Sequence, residues 1–170
     1  MNVRHLYAWR GIAPQLLGGS VSQLVSMWNL DDRAHYVPVA RFEMPWAVTY
    51  ADTRPGHTDR EKRERIREAA RAALPSVPSE VTQWAFRILV RKSGARRFDI
   101  ENVPKLIIDA FCRRQILEDK SAFSQLALYE DDTIDHVIGL QITGERTDGP
   151  EMTIVEIFGR QTGGSSQPAG

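Results

Sequence analysis

The chain has 170 residues, a length that suits one domain whose core needs no metal or disulfide staple. Hydrophobic residues at 42% and charged residues at 26% exclude a disordered or collagen-like chain. Basic and acidic residues both number 22, and the resulting zero net charge argues by itself against a generic polyanion binder. The lone Cys112 excludes a disulfide framework and thiolate zinc clusters and suits a reducing compartment. No apolar run reaches the roughly 18 residues of a membrane span, and residues 1–5 open no signal-peptide pattern, so a cytoplasmic protein is expected.

In chain order, residues 13–30 carry Leu16, Leu17, Val21, Leu24, Val25 and Trp28 at helical spacing, interrupted by Gly18 and Gly19. Residues 1–35 are therefore expected to form a partly helical N-terminal extension. Residues 36–50 are strand-like, with Pro38 and Pro45 marking an edge or a bend, and 52–57 form a loop. Residues 59–74 predict a helix that ends at the breaker PSVPS. Its six basic residues (Arg60, Lys62, Arg63, Arg65, Arg67, Arg71) against four acidic ones suggest a solvated face or, as the lesser alternative, phosphate contacts. Residues 81–90 predict a strand with Trp84, Phe86, Ile88 and Val90 on one face, followed by a turn at Gly94.

The next helix is marked by Val103, Leu106, Ile107, Ala110 and Phe111 at i, i+3, i+4, i+7 and i+8, with Pro104 in its first turn. Strands near 134–143 and 152–158, joined by a turn at Asp148-Gly149-Pro150, complete the order strand, helix, strand, helix, strand, strand. That order predicts an α+β fold: a single domain over 36–159, with a mixed sheet and two main helices packed on one side. Residues 160–170 are small, polar and turn-forming, and predict a loose tail.

Asp99 and Glu101 stand just ahead of the second helix, and Tyr129-Glu130-Asp131-Asp132 just ahead of a strand. At ~100° per residue from Glu101, Lys105 lies at ~40° and Asp109 at ~80°, whereas the apolar stripe centres near ~200°. Glu101, Lys105 and Asp109 are thus expected on the face opposite the core. Carboxylates at helix and strand ends suit a hard divalent cation, which takes oxygen ligands, water and substrate phosphate. A lysine beside them can orient water or offset charge on a phosphate. Arg91, Lys92, Arg96 and Arg97, with no acid among them, would hold a phosphate backbone. Bland alternatives exist for each feature: a helix cap, an exposed i, i+4, i+8 salt-bridge ladder, and an acidic surface turn. His136 beside the acidic run is expected to be structural, and Cys112 an unreactive thiol. No phosphate-binding glycine loop or dinucleotide fingerprint is present, so no nucleotide cofactor is expected.

The string Asp99-Ile100-Glu101-Asn102-Val103-Pro104-Lys105, continued by Leu106-Ile107-Ile108-Asp109-Ala110-Phe111, resembles the DxDNxxKxxxDAL core of the RusA family of Holliday junction resolvases. Tyr129-Glu130-Asp131-Asp132 resembles that family's second acidic motif, an aspartate pair opening a strand, and Glu43-Met44-Pro45-Trp46 its proline-bearing first strand. The resemblance covers roughly residues 41–159. It implies a homodimeric, Mg²⁺-dependent endonuclease, with Mn²⁺ as the other candidate metal, acting on four-way DNA junctions by paired cuts. It also implies a role in DNA recombination and repair in a bacterial cytoplasm, with a phage or prophage origin. By position, Asp99, Glu101 and Asp132 would bind metal, Lys105 would be the catalytic lysine, and Asn102, Asp109 and Asp131 would support the site. Glu101 stands where the family usually carries aspartate. The segment 112–128 is longer than the usual link, which makes Asp119 a rival to Asp132 as the third carboxylate. A catalytically inactive member that binds DNA structures or a protein partner, and a nuclease acting on forks or flaps, are the alternatives.

Overall fold

The computed structural model describes residues 29–51 and 58–160. The helix expected over 13–30, the loop at 52–57 and the tail lie outside the described residues but for residues 29, 30 and 160, as do Trp9 and Trp28. What is described is one small α+β domain, a four-stranded mixed sheet with three helices. The strands are β1 (Tyr36–Met44), β2 (Trp84–Lys92), β3 (Val137–Arg146) and β4 (Met152–Arg160). The helices are α1 (Asp59–Ala70), α2 (Asn102–Ala110) and α3 (Arg113–Glu118). The sheet runs β1-β4-β2-β3, with β4 antiparallel to both neighbours and β3 parallel to β2. Among the described residues no helix is long and apolar enough to cross a membrane.

β1 is an edge strand, which is why Pro38 is tolerated; the register shifts between Pro38 and Ala40. α1 opens with a capping box, Thr58 Oγ1 accepting from the Glu61 amide at 3.3 Å and Glu61 Oε2 accepting from the Thr58 amide at 2.8 Å. It is shorter than the sequence predicts: Leu74 precedes Pro75, which disfavours helical geometry, and 71–73 close as a turn. In β2, Trp84, Phe86, Ile88 and Val90 all point into the core, as the alternation predicts. The α2 stripe of Val103, Leu106, Ile107, Ala110 and Phe111 is buried with them, and Phe111 lies 6.1 Å from the Phe42 ring and 6.3 Å from Phe86.

Two expectations need correction. Segment 112–128 contains a third helix, α3, and a short 3-10 turn at Ser124–Leu126. β3 begins at Val137 rather than 134: residues 133–136 form a hydrogen-bonded turn in which Ile134 is 82% exposed. The aspartate pair is therefore separated from its strand by that turn.

The helices share one face of the sheet; the other carries a small cluster of Leu30, Tyr36, Ala85 and Phe158. Around that cluster run ion pairs, Arg87 with Asp31 and Glu156 at 3.0 Å each, and Arg41 with Glu43 at 2.8 Å. Gly159 is required by packing. A Cβ there would stand 2.7 and 2.8 Å from the two Val81 methyls, which a β-branched side chain cannot swing away. Gly159→Ala is expected to lower stability by about 1–3 kcal/mol, measured by urea denaturation.

Candidate functional site

The approach to α2 is built by Asp99. Its Oδ1 accepts from the Glu101 amide at 3.2 Å, and its Oδ2 from the Asn102 side-chain amide at 2.6 Å. These bonds hold a carboxylate beside the helix N-terminus, where the macrodipole favours negative charge. Glu101 is the residue that caps α2 by position; its exposed side chain makes no capping bond.

One turn on, the Lys105 ammonium donates to Asp109 Oδ1 at 2.7 Å and also to Asp132 Oδ2. Partial burial pushes the Lys105 pKa down, but the hydrogen bonds and charges of Asp109 and Asp132 outweigh it and hold the ammonium above the ordinary lysine range. The Lys105 hydrogen bond, acting against partial burial, holds the Asp132 carboxyl below its ordinary value. Asp131 Oδ1 accepts the Asp132 amide at 2.9 Å, and its carboxylate lies 3.5 Å from Arg114. The two sequence motifs, 27 residues apart, thus meet at Lys105.

Asp109 corrects the helical-wheel expectation of an open face. It is 7% exposed, because the segment after β1 folds over it and Tyr50 donates its hydroxyl to Asp109 Oδ2. Asp119, the rival carboxylate, is accounted for elsewhere. It is buried and takes Arg63 Nε at 2.8 Å, Arg63 Nη2 at 2.6 Å and Arg67 Nη1 at 2.8 Å. Lys62, Arg63 and Arg67 all point inward from α1, so neither a fully solvated face nor a phosphate-contacting one describes that helix. Their signal was present in the sequence: Arg63, Ile66, Arg67 and Ala70 occupy i, i+3, i+4 and i+7, an apolar-face spacing with two arginines in it. Nothing in the sequence marks Tyr50.

The basic run divides in two. Arg91 pairs with Glu145 across the β2–β3 register, and Lys92 with Glu151. Arg96 and Arg97 are exposed and, with Thr49, Lys92, Phe98 and Asp99, line an open groove of about 530 Å³. Arg146 steadies its loop by donating to the Gly94 and Arg96 carbonyls at 2.7 and 2.8 Å. His136 lies beside the Tyr129 ring, 6.5 Å between centroids, in a structural setting. Cys112 is buried, its Sγ 3.2 Å from the Glu130 carbonyl. Of the two tryptophans described, Trp84 is core, while Trp46 is half-buried under the Arg65 guanidinium at 4.8 Å.

Asp99, Glu101 and Asp132 supply carboxylate oxygens of the kind Mg²⁺ and Mn²⁺ take, on exposed or half-exposed side chains, so the donor chemistry fits such an ion. The expected three-carboxylate convergence is not formed: among the described residues no three His, Cys, Asp or Glu side chains are grouped to hold a metal. Asp99 is engaged by its own turn and Asp132 by Lys105. Searches against protein-family models and curated proteins find no match to this chain.

Proposed function

We propose that the protein is a RusA-like, structure-selective DNA endonuclease that resolves four-way junctions by paired phosphodiester hydrolysis. The observation that carries this reading is the Lys105–Asp132 contact. It joins the two segments that resemble the family's motifs, on the α2 whose N-terminal turn places Asp99 at the rim of the groove lined by Arg96 and Arg97. Asp99, Glu101 and Asp132 would hold Mg²⁺ or Mn²⁺. The ion, when bound, supplies an activated water and offsets charge on the reacting phosphate.

The remaining work falls to side chains. Lys105 presents an ammonium that offsets charge developing on the phosphate or orients the attacking water. Asn102 holds the Asp99 carboxylate, and Asp131 secures the backbone of Asp132. Arg96 and Arg97 grip the DNA backbone, while Arg91 and Lys92, already paired with acids, contribute less to that grip than the sequence suggests. A two-fold dimer sets two such sites on opposed strands, which symmetric cutting demands.

A second reading, a DNA-structure binding module that does not cut, is favoured by Glu101, one methylene longer than the aspartate it replaces in the resemblance, since Mg²⁺ geometry is strict. Purified protein is incubated with a labelled four-way junction, a fork and linear duplex, in Mg²⁺, Mn²⁺ or Ca²⁺. Paired junction cuts in Mg²⁺, abolished by Asp99→Asn and Asp132→Asn with binding retained, are expected. Binding in Ca²⁺ with no cutting in Mg²⁺ or Mn²⁺ establishes the second reading, and cutting confined to the fork redirects the substrate.

A further inference from the structure

A lysine side chain is long and flexible, and holding its ammonium in one place costs rotamer entropy. Lys105 is 54% exposed at its side chain, so packing alone does not hold it. Its acceptor Asp109 is fixed by a second bond, and that bond has a determined direction. Arg63 Nη1 lies 3.3 Å from the Tyr50 hydroxyl, and a guanidinium can only donate. The Tyr50 oxygen therefore accepts from Arg63, and its single proton is directed at Asp109 Oδ2. Both Asp109 oxygens are then engaged, one by Tyr50 and one by Lys105. Behind Tyr50, Arg63 is locked by its two bonds to buried Asp119. The Tyr50 backbone is held as well, since the buried Lys62 ammonium donates to the Thr49 carbonyl at 3.0 Å and to the Tyr50 carbonyl at 3.3 Å.

We propose that Tyr50 is a positioning residue for Lys105: through Asp109 it transmits the rigidity of the buried Arg63–Asp119 pair to the ammonium that faces Asp132. The catalytic consequence rests on the nuclease reading above; the positioning itself does not. Asp109 in this scheme is an anchor whose oxygens are spent on side chains.

The test is Tyr50→Phe, which keeps the ring and removes the hydroxyl. Lysine ammonium groups held by carboxylates exchange slowly with water and give resolved ¹H–¹⁵N signals. The Lys105 signal is assigned by its loss in Lys105→Arg, and the buried Lys62 ammonium serves as the internal control. In Tyr50→Phe the Lys105 signal is expected to broaden beyond detection while the Lys62 signal and the backbone amide spectrum persist and the melting temperature falls by only a few degrees, the cost of the lost hydroxyl bonds. In a protein that cuts junctions, kcat is expected to fall about 3- to 10-fold, the loss of one net hydrogen bond, with junction affinity unchanged. An unchanged Lys105 signal overturns the proposal whether or not the wild type cuts DNA, and so does an unchanged kcat in a wild type that cuts. Loss of the signal in a wild type that cuts nothing upholds the positioning and overturns the nuclease reading alone.

Discussion

Replacing Asp119 by alanine is expected to destabilise the fold by about 3–5 kcal/mol, because it leaves the buried Arg63 guanidinium without its carboxylate and the buried Arg67 with only the half-buried Glu64. Arg67 is fully buried, Arg63 nearly so, and Asp119 receives three of their N–H groups. The cluster is already one bond short: among the described residues Arg67 Nη2 is buried without a hydrogen-bond partner, while Nε is satisfied by the Ala110 carbonyl at 2.7 Å. Urea denaturation of Asp119→Ala checks the magnitude, and a loss below 1 kcal/mol would mean that the arginines find water instead. A triple variant with Asp119, Arg63 and Arg67 made apolar is expected to recover much of the loss, since replacing a whole buried ion cluster removes the desolvation cost along with the attraction. The pH dependence follows from the same carboxylate. Burial pushes the Asp119 pKa up, but the hydrogen bonds and charges of Arg63 and Arg67 outweigh burial and hold it below the ordinary aspartate value. A depressed folded pKa contributes stability that is fully present above the unfolded value and is lost as pH falls through the folded one. Wild-type stability should therefore decline below about pH 4, and Asp119→Ala should lack that part of the decline.

Lys105→Met is expected to behave in the opposite way. Its ion pairs with Asp109 and Asp132 are made by a side chain 54% exposed, where such pairs contribute about 0–1 kcal/mol, so unfolding should barely change. Under the proposed nuclease activity, junction cleavage should fall by about 10²–10³-fold, the typical cost of removing one preorganised charge from a reacting phosphate. Junction binding in Ca²⁺ should be nearly retained, because the proposed phosphate contacts are made by Arg96 and Arg97 rather than by Lys105. Single-turnover cleavage beside a binding isotherm separates the two effects. Cleavage at the wild-type rate in Lys105→Met removes the lysine from the mechanism.

The contrast between these two residues shows where sequence reasoning reaches. Lys105 was legible because its helix is marked by an unambiguous apolar stripe, and the fold keeps that stripe buried residue for residue. Asp119 was ambiguous. In one dimension it is simply another acid in the long link between α2 and β3, as Asp132 is. The ion pairs that separate the two connect Asp119 to residues 56 and 52 positions earlier, a distance that no local pattern encodes. The zero net charge likewise carries no information about position. Arg96 and Arg97 line a groove to which residues 130–135 contribute no lining side chain, and a sum over the chain hides both the basic and the acidic cluster.

By itself the sequence determined the class of fold, the faces of β2 and α2, and the candidate residues Asp99, Glu101, Lys105 and Asp132. Each follows from periodicity, turn chemistry or a local string, which are short-range properties of the chain. The tertiary structure alone decided which carboxylate meets Lys105, that Asp109 is covered by Tyr50, and that three of the five basic residues of α1 are interior. It decided, too, that Arg91 and Lys92 are paired while Arg96 and Arg97 line the groove. Those outcomes depend on which segments lie against one another. A charged side chain is buried or free according to whether the arriving segment brings a partner for it, and only the folded chain brings the partners together.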